Sequence, residues 1–403
     1  MELSKHQQEM LDGKHGKGKA MAMQIQVAIG EGFRAERMLP VSKAHVALSA
    51  QEADVWFASK MRDAGAACAV APTVNPGYCL DYFQSKGLLK DKQAADLMRR
   101  CHEVYSELGA IMTYSCTPYL FGNIPHYGEI VSYSETSVSV YANSVLGART
   151  HREGAASSLC AAITGYVPEY GILLDENRFG TVLVKVEAKV ESDFEYSALG
   201  LTGAEIGDGV PVFQGLDTHM STEALIALGT QLNISGVCDK YHIIGVTPDS
   251  RSLAEAFGGQ KPQREVTITG EVIEKALKRY SPKAKPGIDF VMLGCPHYTF
   301  DQVARVAQLL GGEKSRADIW ILTSSAVKDL TVNMGLAEEL ASLGVRLVPD
   351  TCVDQKACFS HLAGAGGVSD SPKCAYYMGA FGVEVAVRDL ETCLKWAKNG
   401  KAD

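Results

Sequence analysis

Two patterns of apolar residues alternate along the chain: short continuous runs, and longer segments in which apolar residues recur every three or four positions. The first pattern is typical of buried strands and the second of amphipathic helices. The alternation is clearest near the C-terminus, where it predicts strands at 289–293, 318–323 and 346–348, separated by helices at 299–310 and 325–343. This order favours a layered α/β domain with a parallel sheet.

The rest of the chain shows the same alternation with weaker periodicity. Helices are predicted at 4–12, 19–29, 50–64, 91–108, 155–164, 221–233 and 270–280. Strands are predicted at 38–41, 45–48, 67–71, 110–114, 181–190 and 241–246. The glycine-rich stretch 200–215 is interpreted as a crossover or a domain joint. Because 403 residues exceed the usual size of a single core, we predict an N-terminal region 1–205 and a C-terminal region 206–403.

Composition narrows the classes of function. A hydrophobic content of 46% with 21% charged residues is ordinary for a globular protein. A net charge of −8, with no basic stripe, argues against nucleic-acid binding. The N-terminus lacks the apolar segment of a signal peptide, and no apolar run is long enough for a membrane span. Eleven cysteines scattered singly indicate reduced thiols, so we expect a cytoplasmic protein.

Three cysteines follow predicted strands closely. They are Cys116, Cys295 and Cys352, and the carboxyl ends of parallel strands are where such sheets usually carry their chemistry. Three thiolates would leave one corner of a metal centre open for a substrate. The alternative is that each is a small buried hydrophobic residue. We adopt that alternative for the cysteines inside helix or strand patterns, which are Cys68, Cys101, Cys160, Cys238, Cys374 and Cys393.

The segment from residue 132 to 152 is rich in polar side chains. Arg149 and Arg152 lie three residues apart and suit bidentate binding of a carboxylate or phosphate. The alternative is a solvated helix start, with Glu153 and Glu176 as ion-pair partners. The candidate substrate-binding residues are His45, Asn75, Ser134, Glu135, Asn143, Ser144, Arg149, Thr150 and Arg152. His45 and His297 are also candidate acid–base groups, although a lone histidine is more often structural.

Several segments together resemble the aconitase X family. They are Leu3–Gly13, Ser42–His45, Thr73–Pro76, Cys116–Tyr119, Ser134–Gly154 and Gly294–His297. The resemblance runs from about residue 3 to Cys352 and weakens beyond Cys358. Ala155 stands where the family usually has a second glycine after the arginine segment.

The resemblance implies the layered α/β domains 1 to 3 of the aconitase superfamily around a central iron–sulfur cluster, held by Cys116, Cys295 and Cys352. It also implies a hydro-lyase. Family members dehydrate cis-3-hydroxy-L-proline or mevalonate 5-phosphate, with a small swivelling domain that is fused or forms a separate subunit. The chain reaches Asp403 without such a domain. We therefore expect a heterodimer whose small subunit supplies the general base.

The sequence leaves the substrate and two alternatives open. Because Arg149 and Arg152 are the only clustered cations beside the Ser134–Gly154 segment, a substrate without a phosphate is favoured. That is cis-3-hydroxy-L-proline, which would be dehydrated to a pyrroline-2-carboxylate; mevalonate 5-phosphate is the alternative. A scaffold that has lost its cluster is one competing interpretation. The other is a thiol enzyme that uses Cys295 with His297 as its base.

Overall fold

The computed structural model describes residues 1–48, 50–236 and 238–403. The helices of its first part are α1 (Lys5–Leu11), α2 (Lys17–Gly32), α3 (Glu52–Asp63), α4 (Leu80–Ser85), α5 (Lys92–Glu107), α6 (Thr136–Ser144) and α7 (Ala155–Thr164). Its strands are β1 (Met38–Pro40), β2 (Lys43–Val46), β3 (Thr73–Val74), β4 (Val131–Ser134), β5 (Arg152–Glu153) and β6 (Tyr166–Pro168). The first sheet is parallel, in the order β3-β2-β4-β5, and β1 pairs with β6 antiparallel.

A second parallel sheet occupies the middle of the chain, in the order β10-β7-β8-β9. Its strands are β7 (Val182–Val186), β8 (Pro211–Gln214), β9 (His242–Ile243) and β10 (Arg264–Ile268). The helices here are α8 (Asp193–Gly200), α9 (Gly203–Ile206), α10 (Thr222–Gly236), α11 (Leu253–Ala256) and α12 (Gly270–Tyr280). This sheet takes strands from both sides of residue 205, and the predicted division there stays a prediction.

The last part is built on a third parallel sheet in the order β13-β12-β11-β14-β15. Its strands are β11 (Phe290–Leu293), β12 (Asp318–Thr323), β13 (Val345–Pro349), β14 (Gly367–Ser369) and β15 (Val385–Val387). Its helices are α13 (Phe300–Leu310), α14 (Ser325–Asn333), α15 (Leu336–Ser342), α16 (Lys356–Phe359), α17 (Pro372–Gly379) and α18 (Leu390–Asn399). The strand order reverses between β11 and β14, which is where open parallel sheets place ligands.

One hydrophobic core joins the first and last parts of the chain. Leu48 and Phe83 belong to the same buried cluster as Met292, Trp320 and Phe359. Burial of large side chains is the main favourable contribution to packing, so these two parts are held together as a unit. Among the described residues, no helix is both long and apolar enough to cross a membrane.

Two strand predictions were wrong. Residues 67–71 form no strand, because the amides of Cys68, Ala69 and Val70 donate to carbonyls of Leu108 and Ala162 instead of to a strand ladder. Residues 110–114 contribute only an isolated bridge, which pairs Ile111 with Thr73. The single helix predicted over 325–343 is two helices, since Gly335 has a φ of 75° that an α-helix does not allow.

Candidate active site

A cavity of about 380 Å³ lies at the carboxyl ends of the first and third sheets. Its lining residues include Asn75, Cys116, Glu135, Arg152, Glu153, Cys295, His297, Cys352, Asp354, Lys373 and Tyr377. Each sheet delivers its residues just beyond its strands: Glu135 follows β4, Cys295 follows β11 and Lys373 follows β14. Two separate parallel sheets therefore supply one polar site.

All three predicted cysteine ligands line this cavity, and none forms a disulfide. Burial raises the pKa of the Cys116 thiol to about 12, and it also raises the pKa of Cys295 and of Cys352 well above the usual value. The backbone amide of His297 donates to Cys116 Sγ at 3.2 Å. Thiols so reluctant to ionise need a cation to become thiolates, and a metal centre supplies that charge.

The sulfurs, as the structure places them, are more widely spaced than a single zinc ion requires. Two sulfurs bound to one zinc ion at about 2.3 Å each can be at most about 4.6 Å apart. Within the described part of the chain, the three sulfurs are not among the groups whose ligand atoms all lie within 4.8 Å of one another. The thiol donor set and its wider spacing fit a larger iron–sulfur group, whose ligands are cysteine thiolates.

A buried ion pair closes the wall beside the thiols. Lys373 Nζ lies 2.5 Å from Glu135 Oε1, and the two side chains are 6% and 10% exposed. Burial alone would lower the pKa of Lys373, but Glu135 and the thiols of Cys295 and Cys116 raise it well above its usual value. Burial would likewise raise the pKa of Glu135, but Lys373 and Ser137 hold it below its usual value. Both groups are therefore charged.

Glu135 is held in place by the start of α6. Its carboxylate accepts hydrogen bonds from the amides of Ser137 and Val138, at 2.8 Å and 3.2 Å, which caps the helix. The residue has a φ of 100°, a conformation that side chains other than glycine rarely adopt. Such strain is found mainly at functional sites, where the surrounding structure enforces it.

Close packing fixes the path of the chain into Cys295. Gly294 has a φ of 94°, and a Cβ atom at this position would collide with the carbonyl oxygen of Leu322 on the neighbouring strand. Only glycine combines that backbone conformation with that approach. The position of the Cys295 thiol thus depends on the residue before it.

The two predicted arginines are in different surroundings. Arg152 lines the cavity, where Nη1 donates to Asn233 Oδ1 at 3.0 Å and Nε lies 3.9 Å from Asp239. Arg149 is not among the residues lining the cavity; it pairs with Asp175 at 2.5 Å and donates to the Leu173 carbonyl. The structure therefore separates a pair that the sequence treats as one unit.

The other predicted binding residues divide in the same way. Asn75 and Glu135 line the cavity. The side chains of the remaining five have other partners and do not line it: His45, Ser134, Asn143, Ser144 and Thr150. Their contact with substrate stays a prediction.

Asn143 shows what these side chains do. Its amide donates to the carbonyls of Thr150 and Asp239, and its Oδ1 accepts from the Thr150 amide. His45 bonds Thr73 Oγ1 at 2.8 Å, and burial lowers its pKa to about 4. The His45 contact connects β2 with β3, and the Asn143 contacts connect α6 with Asp239 and with the segment before β5, so they support the walls of the site.

Several cavity residues, among them Lys373 and Glu153, are absent from the sequence-based candidates. Lys373 lies in the part of the chain to which no function was assigned, and Glu153 was considered only as an ion-pair partner. Burial raises the pKa of Glu153 to about 6. The sequence does mark a helix start at Ser371-Pro372, just before Lys373, but it does not indicate that this helix reaches the cavity.

Most of the chain matches models of known protein families. Family models described as the first, second and third domains of aconitase X match residues 1–176, 180–278 and 288–399. A solved structure of holo-form aconitase X from Thermococcus kodakaraensis superposes with a TM-score of 0.89 at 33% identity, covering 98% of this chain and 100% of that one.

Named relatives fall into two groups. The phosphomevalonate dehydratase large subunit of Methanothermobacter thermautotrophicus is 37% identical over 358 residues, 87% of either chain. The protein of the same name from Thermococcus kodakarensis is 35% identical, over 98% of this chain and 100% of that one. The cis-3-hydroxy-L-proline dehydratase of Pseudomonas aeruginosa is 31% identical over 98% of this chain and 70% of its own length.

Proposed function

The chain belongs to the aconitase X family of hydro-lyases, and we propose that it is the large subunit of an iron–sulfur dehydratase acting on cis-3-hydroxy-L-proline. The observation that carries the proposal is the convergence of three thiols, one arginine and one ion pair on a single cavity. Relatives named as large subunits support the need for a smaller partner.

Cys116, Cys295 and Cys352 would hold the cluster. When bound, it would supply a Lewis acid that polarises the departing hydroxyl. The positive charge of Lys373, which couples to the thiols of Cys295 and Cys116, favours their ionised form. The residues of this chain thus prepare the thiolates that an iron–sulfur group requires.

Arg152 is the group that binds the substrate carboxylate. Its guanidinium uses Nη1 for Asn233. The other edge of the planar fork faces Asp239 only at 3.9 Å, so a substrate carboxylate can replace this weak ion pair with a bidentate contact. Held in this way, the carboxylate next to Cα carries the negative charge that develops when the Cα proton leaves, and the arginine stabilises that charge.

Proton transfer is divided between two chains. Glu153, with a pKa of about 6, can donate a proton to the leaving hydroxyl near neutral pH. The Cα–H bond breaks, its electron pair forms the C=C bond, and the C3–O bond breaks to release water. We assign the base that takes the Cα proton to the small partner.

The charge of the cavity favours an amino acid over a phosphorylated acid. Its lining carries three carboxylates, Glu135, Glu153 and Asp354, against two cations, Arg152 and Lys373. Lys373 is already paired with Glu135. A zwitterion with one carboxylate and one ammonium suits this balance, whereas a phosphate needs a second anion site. Mevalonate 5-phosphate remains the second candidate because two relatives with that activity in their name are 37% and 35% identical.

The test is an assay of the anaerobically purified chain, alone and with a co-expressed small partner, on both substrates. We expect iron in the chain alone, and dehydration of cis-3-hydroxy-L-proline only with the partner. Full activity of the isolated chain would refute the divided site. Activity confined to mevalonate 5-phosphate would overturn the substrate, and an active preparation without iron would overturn the cofactor.

Cysteine variants test the cluster ligands one at a time. We expect Cys116→Ser, Cys295→Ser and Cys352→Ser each to lose visible cluster absorbance and activity while staying folded, because losing one of three ligands exposes the cluster. Cys101→Ser and Cys393→Ser are matched controls, being buried cysteines away from the cavity. A ligand variant that kept its full iron content would have to be removed from the set.

A further inference from the structure

A second group of metal-binding side chains lies at the N-terminus. His6 and Glu9 are on α1, and His15 is in the turn between α1 and α2. One ligand atom from each lies within 4.8 Å of the others. His15 Nε2 is 4.0 Å from Glu9 Oε2, and the two imidazole rings meet edge to face at 4.7 Å between centroids. None of the three lines the cavity of the candidate active site.

The ligand set has a definite chemical preference. Two imidazoles and one carboxylate form a recurrent three-residue zinc site, with a water molecule as the fourth ligand. Ligand atoms that are each about 2 Å from a zinc ion lie about 3.3 Å apart in tetrahedral geometry, so the side chains need to close by about 1 Å. Side-chain rotation can supply this, because the His15 and Glu9 side chains are 34% and 29% exposed.

The surroundings allow that closure. His15 lies between Gly13 and Gly16, whose φ values of 81° and 97° mark a turn built on glycine. The competing cation is Lys14, whose Nζ lies 3.6 Å from Glu9 Oε1. In the described parts of the chain, neither His6 nor His15 uses a ring nitrogen in a hydrogen bond, so both imidazoles can turn toward a metal.

We propose that His6, Glu9 and His15 bind a divalent transition-metal ion, with zinc preferred, that fastens the α1–α2 turn to α1. This site is independent of the proposed function. A metal that binds only the folded hairpin stabilises it, so zinc should protect the N-terminal segment against local opening.

Calorimetric titration of tag-free, EDTA-dialysed chain with zinc chloride tests the site, with His15→Gln as the variant. His219→Gln is the matched control. His219 is exposed and its Nδ1 lies 3.5 Å from the Asp217 carboxylate, but among the described residues it belongs to no group of three ligands. We expect the wild type and the control to bind one zinc equivalent more than His15→Gln, or to bind it at least about tenfold more tightly. Any zinc bound by the active-site thiols contributes equally to the wild type and both variants, so it does not affect the difference between them.

Thermal unfolding with and without zinc gives a second measurement. Zinc should raise the unfolding midpoint of the wild type and the control by more than that of His15→Gln, and magnesium should not reproduce the difference, because it prefers oxygen ligands. Unfolding of each variant without metal checks that it folds. Equal zinc stoichiometry and affinity in the wild type and His15→Gln would overturn the proposal, as would an equal effect of magnesium.

Discussion

The polar residues near the candidate site are of two kinds: some line the cavity, and others support its walls. Arg152 and Arg149, three positions apart, show the division most directly. One lines the cavity, and the other pairs with Asp175. The sequence predicts a pair of arginines suited to an anion, but it cannot indicate which one reaches the site, since the direction of each side chain depends on packing between distant segments.

The two arginines therefore give a matched prediction. Arg152→Lys should lower kcat/KM by roughly 10- to 100-fold, because lysine keeps the charge but loses the planar fork, and a charged hydrogen bond contributes about 1.5–3 kcal/mol. Arg149→Lys should leave kcat/KM nearly unchanged. Steady-state kinetics of the complex reconstituted with the small partner measure both values. An equal fall in kcat/KM in the two variants would contradict the assignment of Arg152 alone to the cavity.

Removing one partner of the buried Glu135–Lys373 ion pair should destabilise the fold. Lys373→Met leaves a buried carboxylate without its partner, which should lower the free energy of unfolding by about 3–5 kcal/mol. The double variant Glu135→Gln with Lys373→Met removes both charges and should be less destabilised than the sum of the two single variants. Denaturant unfolding of the four proteins measures the coupling. Additive losses would mean that the two charges do not interact.

At the scale of elements, periodicity predicts most accurately where a segment is amphipathic or fully buried. The helix Gly270–Tyr280 and the strand Asp318–Thr323 have the bounds that the apolar pattern predicts. The pattern fails at 67–71 and 110–114, where backbone groups are satisfied by other loops and by a helix end. Those partners are distant in sequence, so a local pattern carries no information about them. Lys373 was missed for the same reason. It lies at the cavity because β14 pairs with β11 in the third sheet, and a local pattern does not show this pairing.

The end of β11 allows a sharp test of how an element positions a ligand. Gly294→Ala should displace the Cys295 thiol, because the added methyl group meets the Leu322 carbonyl, and the purified protein should lose most of its iron. Gly312→Ala is the control: its φ is 79°, but nothing lies within 4 Å of the added atom. Both variants pay the conformational cost of a positive φ, about 1 kcal/mol. Iron retained in Gly294→Ala would contradict the role of this glycine.

At the scale of the whole molecule, buried histidines link stability to pH. Burial lowers the pKa of His45, His151 and His242 from 6.5 to about 4. The unfolded chain then binds more protons than the folded one, so the stability that these neutral imidazoles contribute is present above pH 6.5 and is lost as the pH falls towards 4. Burial raises the pKa of Glu153 and Asp370 to about 6, which acts in the opposite direction.

A single variant isolates the histidine contribution. His242 is 1% exposed, and its Nε2 bonds the Arg178 carbonyl at 2.9 Å. His242→Gln can keep that donor but cannot be protonated, so its stability should fall less between pH 6.5 and 4 than that of the wild type, by at most about 3 kcal/mol. Denaturant midpoints measured across this range test it, and parallel curves would show that His242 does not titrate there.

The distances along the chain between the site residues limit when the site can exist. Glu135 and Lys373 are 238 residues apart, and the third thiol, Cys352, belongs to the last part of the chain. Contacts of such large sequence separation form late in folding. During synthesis, a ribosome-bound chain therefore has no complete ligand set until nearly all of its residues have emerged. On the proposed function, iron and sulfide would be inserted after translation. A product shortened before Cys352 would lack one thiol ligand, which added metal could not replace.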